Sequence, residues 1–182
     1  GGVVSIGKNT TVAAGLLGSI IFDNGTLNTG GLLAGFDDLE GKGLINTHGL
    51  VTDLNLVFDT THGLSQTFFI ANSSGQNITI NFNVVGSGHM GACYSGVGSM
   101  RIVDGSIIAS QRGYVGHRPG SKGIVTVDGV GSKWMSSSDL FVGLDGRGSL
   151  TVTRGATNTS GKGFIGTNPN SRGAVTVDGD GS

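Results

Sequence analysis

Cysteine and proline are nearly missing from this chain, which has one cysteine, Cys93, and two prolines, Pro119 and Pro169, in 182 residues. A single thiol excludes an internal disulfide framework, and a lone cysteine in a short strand reads as a small buried hydrophobe rather than a nucleophile. Glycine is abundant at 36 residues, but with so little proline and no Gly-X-Y period the chain is not collagen-like. Charge is scarce too: 11 Lys and Arg against 12 Asp and Glu leave a formal net charge of −1. That balance offers no basic stripe for a phosphate backbone, so nucleic acid is not an expected partner. The longest apolar run, Gly15-Leu-Leu-Gly-Ser-Ile-Ile-Phe22, is far too short to span a bilayer. No opening stretch reads as a secretory leader, and both ends fall inside patterned sequence. The expectation is a segment of a longer protein whose export and anchoring signals lie outside it.

What the chain does have is repetition. Gly98-Ser-Met-Arg-Ile-Val-Asp-Gly105 returns as Gly148-Ser-Leu-Thr-Val-Thr-Arg-Gly155, and Gly123-Ile-Val-Thr-Val-Asp-Gly129 as Gly173-Ala-Val-Thr-Val-Asp-Gly179. A unit that recurs at fixed spacing cannot bury its apolar face alone and stacks on its neighbours. Inside this period Tyr114-Val-Gly116, Phe141-Val-Gly143 and Phe164-Ile-Gly166 recur at unequal steps, so two coils make one period. Short β-branched strands separated by Gly, Asn, Asp and Ser predict an all-β fold, a right-handed parallel β-helix (β-solenoid) of about seven coils of roughly 23–27 residues. Residues 1–90 read as irregular coils and residues 91–182 as regular ones in a single continuous domain. Val125, Val127, Leu150, Val152, Val175 and Val177 are expected inward, with Thr126, Thr151 and Thr176 outward.

Toward the N-terminus, strands are expected at Val3–Ile6, Thr11–Ala14, Ser19–Phe22, Leu44–Asn46 and Leu54–Phe58. Asp23-Asn24-Gly25 is expected as a tight turn, because Asn and Gly tolerate positive φ; Gly30-Gly31 and Gly41-Lys-Gly43 punctuate similarly. Phe36-Asp-Asp-Leu-Glu40 reads as a turn. Two more hydrophobic strands follow, Gln66–Ile70 and Asn77–Val85, the second strictly alternating. The intervening Asn72-Ser-Ser-Gly75 suits a hairpin or a solenoid corner, and the corner is preferred because the rest of the chain is coiled.

The run Tyr114-Val-Gly-His-Arg-Pro-Gly-Ser-Lys-Gly-Ile-Val-Thr-Val-Asp-Gly-Val-Gly-Ser-Lys-Trp134, followed by Leu140-Phe-Val-Gly-Leu-Asp-Gly-Arg-Gly-Ser-Leu-Thr-Val152, resembles the repeat associated with autotransporter (type V secretion) and PEP-CTERM proteins. The upstream Gly25-Thr-Leu-Asn-Thr-Gly30 and Gly43–Asp59 are similar to segments preceding such repeats in large exported bacterial proteins. The resemblance implies a secreted or surface-displayed β-solenoid, extracellular or on the outer cell surface, and brings no catalytic residues.

Candidate sites are few. Tyr114, Phe141 and Phe164 should stack as a column; facing outward they form a surface that packs on sugar rings or another rod, and facing inward they are core. Core or corner is the preferred reading. Asp178-Gly-Asp-Gly-Ser182 begins like a calcium loop, but its earlier copy has Val130 where Asp180 stands, so turn formation is the simpler reading and no metal is expected. Asp37, Asp38, Glu40, Asp53 and Asp59 are the one acidic concentration, of the kind polysaccharide lyases and hydrolases use, but solvated turn residues are the preferred reading. His48, His62, His89 and His117 lack metal-ligand spacing. Asn9, Asn24, Asn72, Asn77 and Asn158 each begin an Asn-x-Ser/Thr triplet. The expectation is a structural rod with no cofactor and no enzymatic activity, partnered by further copies of itself in fibres or by extracellular polysaccharide. A carbohydrate-binding adhesin is the alternative and a polysaccharide lyase or hydrolase the remote one.

Overall fold

The computed structural model describes residues 2–5, 11–14, 18–69 and 77–182. These residues hold strands and turns and no helix: β1 (Val3–Ser5), β2 (Thr11–Ala13), β3 (Ile20–Thr29), β4 (Gly31–Ala34), β5 (Leu39–Thr47), β6 (Leu50–Thr52), β7 (Asn55–Phe58), β8 (Ser65–Phe69), β9 (Asn77–Phe82), β10 (Met90–Ala92), β11 (Val97–Ile102), β12 (Ile107–Ser110), β13 (Gly113–Val115), β14 (Lys122–Asp128), β15 (Lys133–Val142), β16 (Arg147–Thr153), β17 (Thr157–Ile165) and β18 (Arg172–Asp178). They form three sheets. The first runs β1-β3-β5-β9-β8. The second runs β2-β4-β6-β10-β13-β15, with β12 and β17 also on β15, and the third runs β7-β11-β14-β16-β18. Every strand pairing is parallel except β8 with β9.

Register follows the sequence repeat in the C-terminal half. In the third sheet Val97 pairs with Lys122, Lys122 with Arg147 and Arg147 with Arg172. In the second sheet Gly91, Tyr114, Phe141 and Phe164 pair in succession. The alternation of β14 and β16 then resolves into two faces. Val125 and Val127 are fully buried and Leu150 and Val152 nearly so, while Thr126 and Thr151 point away. In β18, Val175 and Val177 continue these inward columns but are 39% and 60% exposed.

Nearer the N-terminus the spacing departs from the expected 23–27 residues. Leu32 pairs with Leu50 and Thr29 with Thr47, steps of 18, because the third sheet starts only at β7 and no strand of it lies within these steps. Asn24, expected in a tight turn, sits inside β3. Its φ of 53° is accommodated as a bulge between Asp23 and Gly25, and Gly41 and Gly43 pair along that strand instead of ending one. The expected corner after Gln66–Ile70 is also corrected: β8 and β9 pair antiparallel as a hairpin, and the connecting residues lie outside the described ones.

This hairpin has a specific function in the packing. β7 is paired on one side only, by β11. On its other side the buried Gln66 side chain acts as a surrogate peptide: Nε2 donates to the Val57 carbonyl at 2.9 Å and Oε1 accepts from the Val57 amide at 3.3 Å. The open edge of β7 is thereby capped at Val57 within the molecule. The main core runs between the sheets, with Leu32, Ile45, Leu50, Leu56, Ile80 and Met100 at 0% exposure. Trp134 is fully buried where Gly113 leaves room for its ring.

Candidate functional site

Aromatic residues gather on the outer face of the second sheet. Alternation turns Val115 and Val142 into the main core and places Tyr114, Phe141 and Phe164 on the opposite side, at strand ends just before positive-φ glycines, where Tyr114 is buried in a second hydrophobic cluster and Phe141 packs against it. Tyr114 and Phe141 stack with centroids 5.4 Å apart and planes at 8°, and Phe141 and Phe164 at 5.0 Å and 10°. The column continues toward the N-terminus through Gly91, Val51 and Leu33. Tyr114 is buried, whereas Phe141 and Phe164 are half-buried.

The covered end is built from the turns. His89 meets Tyr114 edge-on at 5.7 Å, His117 meets it at 4.8 Å, and Tyr94 lies 5.4 Å from His117. Arg118 sits 4.5 Å over the Tyr94 ring and donates to its hydroxyl at 2.6 Å, and that hydroxyl donates to the Ala14 carbonyl. Burial pulls both histidines below the usual imidazole range. Arg112 pushes His89 the same way, whereas Asp145 partly offsets the effect on His117 and Arg118 adds to it. Nδ1 of each is buried without a hydrogen-bond partner. Because the stacked rings cover one another's faces, the column offers mainly edges to a ligand, whereas a sugar ring packs best on an open face.

Of the acidic residues, Asp38 and Asp53 come together: a methyl group on Gly35 would lie 3.2 Å from Asp38 Oδ2 and 2.9 Å from Asp53 Oδ2. Asp38 accepts from the Gly35 amide at 2.6 Å; Asp53 accepts from the amides of Tyr94 and Ser95 and from the Ser95 hydroxyl. Asp59 accepts from the Thr61 and His62 amides and the His62 ring, and the His62 amide is the leading reason its carboxyl lies below the usual range. Asp37 and Glu40 are exposed. Cys93 is fully buried, its thiol pushed up to about 12 by burial and by Asp53. Its Sγ donates to the Gly96 carbonyl and accepts from the Lys122 amide.

At the far turn, the Ser182 hydroxyl ties Asp178 to Gly155. Among the described residues no three His, Cys, Asp or Glu side chains are grouped to hold a metal ion. His48 bonds Ser87. Of the Asn-x-Ser/Thr triplets, Asn9 and Asn72 lie outside the described residues, Asn24 is exposed on its bulge, Asn77 opens β9, and the Asn158 amide donates to the Trp134 carbonyl.

One surface escaped the sequence reading. Lys122, Arg147 and Arg172 stand in register on neighbouring strands of the third sheet, all exposed. Their common spacing of 25 residues was the available signal, and a charge total conceals it. Comparison with known proteins finds no matching family model, no matching curated sequence and no matching solved structure.

Proposed function

We propose that the three sheets are the faces of one right-handed parallel β-helix, and that it serves as a structural rod in a secreted or cell-surface bacterial protein. The observation carrying this reading is the stacking of like side chains on successive strands: Val125, Leu150 and Val175 inward, Thr126, Thr151 and Thr176 outward, and Asn28, Asn46 and Asn81 in an amide ladder with bonds of 2.7 and 2.9 Å. Such columns stabilise stacking, with each layer contacting its neighbours. The polar groups at the turns hold adjacent turns together, and the reading assigns them no catalytic role. The likeness of the repeat to autotransporter and PEP-CTERM-associated sequences supports an exported location, and rods of this kind associate into fibres through open strand edges. Electron microscopy of the native material tests this. Rods with a strand repeat of about 4.8 Å along their long axis are expected; particles without an axial strand repeat would refute it.

The half-exposed Phe141 and Phe164 favour a second reading, a carbohydrate-binding adhesin. A glycan array without saturable binding that Phe164→Ala removes would dismiss it.

A further inference from the structure

We infer that the edge of the third sheet carrying Lys122, Arg147 and Arg172 binds a linear polyanionic polysaccharide, one bearing carboxylate or sulfate groups along its length. Lys122 pairs with Arg147 and Arg147 with Arg172, which places three cations over one another on strands about 4.8 Å apart. All three are exposed, and among the described residues none of the ion pairs includes them: those join His62 to Asp59, Arg112 to Asp139 and Arg154 to Asp128. Like charges placed directly opposite on paired strands repel. An anionic chain lying along the stacking direction relieves that repulsion by setting successive anions against successive cations.

The surroundings favour the same ligand. The carboxylates of this face, Asp128 and Asp178, stand at the other end of their strands, six residues or about 20 Å away. That is about twice the screening length of roughly 10 Å at 0.1 M salt. Asp128 is moreover held by Arg154. Asp145, on the turn before Arg147, accepts from the Asn168 amide at 2.6 Å. Asp145 keeps its negative charge in that bond, but the three cations outnumber it, so this edge carries a local excess of positive charge despite the net charge of −1. Beside it run the outward hydroxyls of Ser149, Thr126 and Thr151, suited to the hydroxyls of a glycan. The outward positions of the third sheet hold no aromatic residue on which a base would stack, which separates this ligand from single-stranded nucleic acid. The site rests on strand register alone and is independent of the rod reading.

The test is calorimetric titration of the chain with polygalacturonate and with dextran sulfate, against neutral dextran and single-stranded DNA, at about 50 and about 200 mM salt. Saturable binding of the charged glycans but not of dextran is expected, weakened on the order of tenfold at the higher salt. Arg147→Gln should weaken binding about fivefold, and the triple change K122Q/R147Q/R172Q should abolish it. Arg154→Gln, at the far end of the sheet, should leave it unchanged. Emission from the buried Trp134 reports whether each variant is folded; if the triple variant is not, Arg147→Glu and the salt dependence decide. Failure of the unmodified chain to bind either charged glycan, undiminished binding after the cations are removed, or tighter binding of DNA than of both glycans would overturn the inference.

Discussion

Replacing Gln66 by leucine removes the side chain that caps the free edge of β7 at Val57. Leucine keeps most of the volume and deletes both hydrogen-bonding ends, so the Val57 amide and carbonyl lose bonds of 3.3 and 2.9 Å. A buried backbone group left unpaired costs about 1–3 kcal/mol. Val57 is itself half-buried, so water recovers part of the loss for the two groups, and the added apolar surface of leucine offsets more. The expected cost is about 2 kcal/mol. Because proteins open locally as well as globally, the effect belongs near β7, β8 and β9, and Trp134 in β15 is an insufficient reporter by itself. Amide hydrogen exchange is the sharper assay. A local loss of about 2 kcal/mol accelerates exchange at Val57 about thirtyfold, since each 1.4 kcal/mol is about tenfold. Gln66→Glu should be worse near neutral pH, because its carboxylate then faces the Val57 carbonyl without a donor. Unchanged exchange at Val57 in the leucine variant would refute the edge-capping argument.

Three further outcomes follow from other contacts. Gly113→Ala places a methyl group 2.6 Å from Leu140 Cδ1 and 2.8 Å from Trp134 Cζ2, so it should cost about 1–3 kcal/mol. A lowered thermal midpoint with shifted Trp134 emission would register it. His89 and His117 are held below the ordinary histidine range by burial, so the unfolded chain takes up their protons first as pH falls. Their contribution is whole above the unfolded pKa, near 6.5, and is lost progressively as pH falls from there toward their folded values. A thermal midpoint flat from pH 8 to 5 would contradict this. Asp128, hydrogen-bonded by Arg154 and Thr153, should titrate at about 2, and Arg154→Gln should move its carbon-detected NMR titration back toward 3.8.

The sequence displays the fold best where one face of a strand is wet. In β14 and β16 valines and leucine alternate with threonine and serine, and the structure turns them inward and outward accordingly. The unequal steps between Tyr114, Phe141 and Phe164 were legible as well, because aromatics followed by valine or isoleucine and a positive-φ glycine mark the same place on successive paired strands. β4 and β6 were not legible. All their residues are buried, since Leu32 and Leu50 enter the main core while Leu33 and Val51 join the cluster under Tyr94 and Tyr114. With both faces covered, the period-two signal vanishes. The β8–β9 hairpin was missed for a different reason: alternation shows that β9 has a buried face but does not reveal the direction of its partner. The candidate surfaces divide similarly. The aromatic column came from a motif, whereas the cationic edge emerges only when residues 25 positions apart are superposed.

The least regular junction shows what the side chains of Cys93 and Asp53 hold together. After Ala92, Val115, Val142 and Ile165, which pair in succession, the next residues are Cys93, Gly116, Gly143 and Gly166, with φ values of 75°, 75°, 77° and 64°. Glycine is the residue this conformation favours, so Cys93 pays a conformational penalty that its successors avoid. From Gly116 onward neighbouring turns join by backbone bonds, such as His117 to Cys93 and Leu144 to Gly116. Before Cys93 the spacing between paired strands lengthens abruptly, Val51 pairing with Gly91 forty positions on, and two turns of different shape must meet. There the Cys93 amide donates to the Thr52 carbonyl and the Asp53 carboxylate accepts the Tyr94 and Ser95 amides, while on the opposite side the Cys93 thiol links Gly96 to Lys122 of the following turn. Both residues therefore act as parts of the turn.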